Sequence, residues 1–139
     1  MIHSSYNHYS VMFIIMILSG LLSTMNVWVD TYEDIRISLN DIYMILLMSG
    51  WMFLFMGIYY RETNPFITGC ILVAINLWCI RNQFMISSEQ YVLGMIPHHS
   101  MAIHMSKALL RKQTNLNEFA TSIIETQRKE IDFMKNKTL

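Results

Sequence analysis

Charge is scarce in this chain. Only 14% of its 139 residues are charged, against roughly 25% in ordinary soluble domains. Ten basic and ten acidic side chains cancel to a formal net charge of +0, so no global positive field gathers nucleic acid, and nucleic acid is not an expected partner. Cysteine is limited to Cys70 and Cys79. Both fall in one apolar segment, half a turn out of phase, so on a helix they face opposite sides, cannot bridge each other and mark no redox compartment. Internal repeats, a glycine-rich phosphate loop, and the Cys-x-x-Cys and His-Glu-x-x-His patterns are absent. Without a nucleophile–base pair or spaced catalytic carboxylates, the chain is not expected to be an enzyme, although a redox-active copper stays conceivable. Residues 1–8 carry no lysine or arginine and no small-residue cleavage pattern follows the first apolar run, so a cleaved signal peptide is not expected.

Apolar side chains fill the gap: 53% of residues are hydrophobic and 13 are methionine. That profile points to a membrane protein, and the length suits a membrane anchor with one small appendage. Residues 9–29 run without a charge until Asp30 lies ahead, close to the roughly 20 residues a spanning helix requires. A connection carrying Asp30, Glu33, Asp34, Arg36 and Asp41 follows and is expected in water. Residues 42–60 are apolar again and close on Tyr59, Tyr60 and Arg61, groups that favour the headgroup level. A tight link then offers Asn64 as an N-cap and Pro65 as the first helical position. The third span, 65–82, contains Asn76 and ends near Trp78 and Arg81, the latter snorkelling to the interface. Spans two and three form a hairpin in the bilayer. Arg61 on one side against Arg36 and Arg81 on the other leaves the orientation open.

Composition changes after Arg81. Residues 1–83 read as a three-span anchor and 84–139 as a His/Met-rich helical hairpin, so the expected class is all-α. Ser87 or Ser88 starts the first hairpin helix, with Pro97 kinking or restarting it. Asn117 caps the second, which carries Phe119, Ala120, Ile123, Ile124, Gln127, Ile131 and Met134 on one face. Between Gly94 and Met105 the chain crowds His98, His99 and His104 with Met95, Met101 and Met105. At roughly 100° per residue, Tyr91, Met95, His98, Ala102, Met105 and Leu109 share one stripe, with Met101 and His99 on its flanks. Thioethers favour Cu(I) and Ag(I), and imidazole also suits Cu(II) and Zn(II), so copper is the ion both ligand types accept. Core packing is the bland alternative, because methionine at helical spacing is ordinary filler, and spacing alone leaves the two open. Glu130 and Met134 of the facing helix are further candidate ligands, and Gln127 a group behind them; an interhelical hydrogen bond is the bland version.

The run Phe84, Tyr91, Met95-Ile96-Pro97-His98-His99-Ser100-Met101-Ala102 and Met105, followed by Ala120, Ile123-Ile124, Gln127, Glu130-Ile131 and Met134, resembles the domain-of-unknown-function 305 family over residues 84–139. That resemblance implies half of a ferritin-like four-helix bundle, associated with copper and silver binding or tolerance in bacterial envelopes. The three preceding spans, with Met56-Gly57-Ile58-Tyr59-Tyr60-Arg61 and Arg81-Asn82-Gln83, look like its membrane-anchored branch. The branch implies a bacterial inner membrane, a cytoplasmic N-terminus and a periplasmic domain. The chain departs from the family in the first connection, which offers Ile35 and Arg36 where relatives carry a histidine, and in the tail Lys135-Asn136-Lys137, where relatives carry an aromatic residue.

Met44, Met48, Met52 and Met56 fall four apart in span two and form one drifting stripe, a possible ladder for soft cations. No histidine or carboxylate interrupts it to anchor an ion, which favours packing or lipid contact. Asn76, Gly69 and Val73 share a side of span three and mark a helix contact. The function expected is a membrane-anchored protein capturing copper or silver through Met95, His98, His99, Met101 and Met105. An anchored protein-interaction module and a Met-ladder transport component are the alternatives. A hairpin of about 55 residues buries too little to be firmly stable alone, so a homodimer through it, or packing on its own membrane helices, is expected to complete the bundle.

Overall fold

A computed structural model describes residues 2–112 and 114–137, with side chains from His8 onward. Met1, Gln113, Thr138 and Leu139, which the expected anchor and hairpin include, lie outside the described residues. Five α-helices, α1 (Ile2–Leu22), α2 (Leu39–Tyr60), α3 (Thr63–Arg81), α4 (Ser88–Leu110) and α5 (Asn117–Lys137), alternate with turns and two short 3₁₀ helices, Met25–Trp28 and Tyr32–Asp34. No strand occurs among the described residues, so the fold is all-α. The stretches His8–Trp28, Leu39–Tyr60 and Thr63–Arg81 are long and apolar enough to cross a membrane.

The first apolar run is not a single helix. α1 stops at Leu22, where Ser23 N–H bonds the Gly20 carbonyl at 3.1 Å and tightens the last turn. Ser23 and Thr24 favour such an exit, because short polar side chains compete with the helix for backbone hydrogen bonds. Two compact units result. One holds the chain up to Ser23 with Asn40–Met85; the other holds Thr24–Leu39 with Ile86–Leu139. The first connection therefore groups with the hairpin, not with the anchor in which the sequence placed it.

In the first unit α2 and α3 approach backbone to backbone. A methyl group on Gly57 would lie 2.6 Å from Cα of Phe66, and one on Gly69 would lie 2.6 Å from Cα of Leu54. Gly50 likewise faces Val73. Small residues at one face permit this close helix packing. Val73 and Asn76 are buried on that face beside Gly69, as their spacing implied; the Asn76 amide donates to the Leu72 carbonyl at 2.8 Å. The turn between the helices is tighter than the expected link. Arg61 adopts a positive φ of 57°, Arg61 N–H bonds Ile58 and Glu62 N–H bonds Gly57, which is a Schellman closure with arginine where glycine is usual. α3 then begins at Thr63 with Glu62 in the cap position, so Asn64 is not the cap and Pro65 sits inside the first turn, still where no intrahelical N–H is needed. Tyr9 hydroxyl donates to the Glu62 carboxylate, and Phe13 stacks on Phe53 at 5.9 Å.

Met44 and Met48 are exposed and Met52 and Met56 half-buried. Their stripe lies away from the glycine face of α2.

In the second unit Ser87 caps α4, its hydroxyl accepting Gln90 N–H at 3.2 Å. α4 runs unbroken through buried Pro97. Ile96 and Ile103 pack with Ile131 of α5, and Val92, Ile124 and Met134 close around them. Asn117 opens α5, but its side-chain oxygen accepts from Thr114 N–H at 3.1 Å and so ties the loop rather than the helix.

Gly57→Ala should destabilise the α2–α3 pair by about 1–3 kcal/mol, the range for overpacking, because its new contact is backbone that cannot rotate away. Thermal unfolding in mild detergent reads the loss; Ala74→Leu on the exposed face of α3 should leave the midpoint unchanged.

Candidate functional site

The buried face of α4 is Ile96, His99, Ser100, Ile103 and Ser106. It is turned by about one residue, some 100°, from the stripe the methionines suggested. Adjacent histidines consequently have opposite fates: His98 is exposed, whereas His99 is 8% exposed. Their ring centroids lie 6.0 Å apart at 66°.

His99 is held at both ring nitrogens. Nδ1 lies 2.8 Å from the Met95 carbonyl oxygen and Nε2 lies 2.7 Å from Oε2 of Glu130. Both ring nitrogens of His99 are therefore occupied by hydrogen-bond partners within the hairpin. Gln127 donates to the same Glu130 oxygen at 3.3 Å. The pairing expected across the hairpin is therefore present, with the imidazole and carboxylate engaged by each other. Met134 packs in the apolar cluster. Met95 and Met101 are half-buried, while Met105 and His104 are exposed. His98, Met101 and Met105 fall at i, i+3 and i+7, which makes them successive neighbours on the outer side of α4. Among the described residues no three His, Cys, Asp or Glu side chains form a group that could hold a metal ion.

Sequence reasoning missed the polar cluster on the other side of α4. The connection Thr24–Leu39 crosses the hairpin as a strap. Asp34, 4% exposed, accepts from Ser100 at 2.6 Å and from Thr31 at 2.9 Å, and its other oxygen pairs with the Lys135 ammonium at 2.6 Å. Ser100 in turn accepts Asp30 N–H at 2.9 Å, and Lys107 reaches the Asp30 carboxylate at 2.8 Å. Leu39 N–H bonds the Gln90 side chain at 2.7 Å, and Asn26 closes the strap on Arg36 through both of its amide atoms. Ser100 and Ser106 inside an apolar stripe, with Asp30 and Asp34 in a short connection, were the available signal. Burial by itself would raise the Asp34 carboxyl, but hydrogen bonds from Lys135, Ser100 and Thr31 and the Lys135 charge outweigh it and hold the group below the usual carboxylate range.

Comparison with known proteins adds a family and one relative. Residues 85–138 match the model of a domain of unknown function, DUF305. Uncharacterized protein L153 of Acanthamoeba polyphaga mimivirus is 44% identical over 129 residues, covering 86% of this chain and 83% of its own. That alignment extends well beyond the DUF305 match, so the apolar N-terminal part is shared too. No solved structure matches the chain.

Asp34 carries a pH prediction. Because its folded value is depressed, its stabilisation is complete above the ordinary carboxylate value of about 3.9 and is lost as pH falls through its own lower value. Asp34→Ala should cost about 2–4 kcal/mol, since it leaves Lys135 and Ser100 without their buried acceptor. Hydrogen exchange of the Thr24–Leu39 amides should quicken in the variant at neutral pH, and the wild type should approach the variant only in strong acid.

Proposed function

The chain belongs to the DUF305 family, and from that premise we propose that it is a membrane-anchored, non-enzymatic protein that binds copper(I), or its heavier analogue silver(I), on the outer side of α4. His98, Met101 and Met105 would hold the ion, with Met95 on their flank. One observation carries the choice: His99 is engaged at both ring nitrogens, whereas His98 is exposed beside two thioethers on the same helix. An imidazole with thioethers is a soft donor set of low coordination number, which suits copper(I) and silver(I). Zinc(II) and copper(II) favour more nitrogen and oxygen donors, and two of those in the hairpin, His99 and Glu130, are engaged by each other. Glu130 and Gln127 thus act in this proposal by fixing His99 and the hairpin, and Met134 by packing.

The three span-length apolar stretches support anchoring in a bilayer. Three crossings put the strap and the hairpin on one side and the N-terminus on the other. The resemblance to bacterial envelope proteins implied a periplasmic hairpin; a similar protein occurs in a virus of amoebae, so the proposal rests on the bilayer rather than on one compartment. Capture at the membrane surface suits a role in metal tolerance or homeostasis. The reading also has two chains pair through their hairpins, since Phe119 and Phe133 of α5 are exposed. Transport along Met44, Met48, Met52 and Met56 is not part of it, because Met44 and Met48 are exposed and no histidine or carboxylate interrupts the stripe to anchor an ion.

The test is competition between the full chain in detergent and a copper(I) chelator. The wild type should bind tighter than micromolar. His98→Ala and Met101→Leu with Met105→Leu should each weaken binding by at least about tenfold, the loss typical even of groups behind the ligands, while Glu130→Gln should leave affinity nearly unchanged. Affinity should fall in acid, where imidazole no longer ligates. Wild-type affinity in the His98→Ala chain would sink the proposal.

A further inference from the structure

The strap is inverted in polarity. Its carboxylates Asp30 and Asp34 turn inward to Lys107, Ser100 and Lys135, and the Arg36 guanidinium folds back onto the carbonyls of Glu33 and Ile35 at 2.9 and 2.7 Å. Its large apolar side chains turn outward: Tyr32 is 90% exposed and Trp28 54%, with Val27, Ile35 and Ile37 exposed beside them. The 3₁₀ helix Met25–Trp28 buries none of its residues. A connection surrounded by water has the opposite arrangement. The sequence placed this segment in water on account of its charges, and two of them, Asp30 and Asp34, are met by the hairpin.

Chain continuity adds an independent argument. The span-length apolar stretch that begins in α1 runs on past the end of that helix at Leu22 to Trp28, so its last residues are the start of the strap, and the other end of the strap is the first residue of the span-length helix α2.

We infer that the outer face of the strap, Val27, Trp28, Tyr32, Ile35 and Ile37, lies in the headgroup and upper acyl layer of the bilayer as an interfacial clamp. Its occupant is lipid. Aromatic side chains with one polar edge favour that depth, and Glu33 is the exposed carboxylate left to face the headgroups. Because Asp30 and Asp34 bind the strap to α4 and α5, the same segment that enters the lipid also carries the hairpin. The inference rests on the membrane reading of the three apolar stretches.

The experiment uses the full chain in phosphatidylcholine vesicles and reads tryptophan emission with lipids brominated at shallow or deep acyl positions and with aqueous iodide. The chain has 3 tryptophans; Trp51→Phe with Trp78→Phe leaves Trp28, and Trp28→Phe with Trp78→Phe leaves Trp51, which lies within α2. Trp51 should lose emission to the deep quencher, and Trp28 should be blue-shifted, lose more emission to the shallow quencher than to the deep one, and be shielded from iodide. Deep quenching of Trp51 with iodide-accessible Trp28 overturns the clamp while leaving the membrane reading intact. A Trp28 shielded from iodide but untouched by either lipid overturns it in favour of a protein surface covering the strap. Failure of deep quenching at Trp51 removes the membrane reading and the clamp with it. 5-Fluorotryptophan in the unsubstituted chain, broadened by paramagnetic lipid or by an aqueous gadolinium chelate, reports the same three positions where the substituted chains do not insert.

Discussion

A buried carboxylate organises the second unit. Asp34 is nearly sealed from solvent, and an ionised group there is tolerable only because Ser100, Thr31 and Lys135 supply hydrogen bonds and a countercharge. Those partners come from the strap itself, from α4 and from α5, so satisfying one side chain brings three segments into register. Asp30 repeats the arrangement with Lys107 and with Ser100, which both donates to Asp34 and accepts from Asp30. A hairpin with few fully buried apolar residues gains a third packed element in this way.

The orientation of α4 follows from that cluster. Ser100 must reach the strap while Ile96 and Ile103 reach Ile131, and this sets the rotation of the helix. Once set, it separates two neighbouring histidines: His99 turns into the hairpin, where Glu130 and the Met95 carbonyl engage both ring nitrogens, and His98 turns out beside Met101 and Met105. The chemistry available to each histidine is therefore decided by a rotation of about 100°, not by the identity of the residues.

The first unit obeys a different constraint. Its helices are apolar on all sides, so which faces meet depends on how closely the backbones can approach. Gly50, Gly57 and Gly69 provide that approach, and methionines, which need no defined partner, occupy the outside of α2. The strap joins the two regimes: it begins as the end of an apolar stretch and finishes as a charged tie to a polar hairpin.

Much of this was legible in the sequence. The all-α class, the positions of the three apolar stretches, the hairpin after Arg81, the Ser87 cap and the contact face through Gly69, Val73 and Asn76 all follow from local periodicity, composition and capping chemistry, which act over a few residues and leave a direct trace. What only the tertiary structure decided is long-range: that Asp30 and Asp34 turn inward, that α1 ends at Leu22, and that His99 rather than His98 faces Glu130. Met95, Met101 and Met105 pulled the expected stripe toward themselves because thioethers count as apolar in any periodicity. The actual face is set by Ser100 bonding to a carboxylate far away in the chain, and a short polar side chain carries no sign of which distant partner will satisfy it.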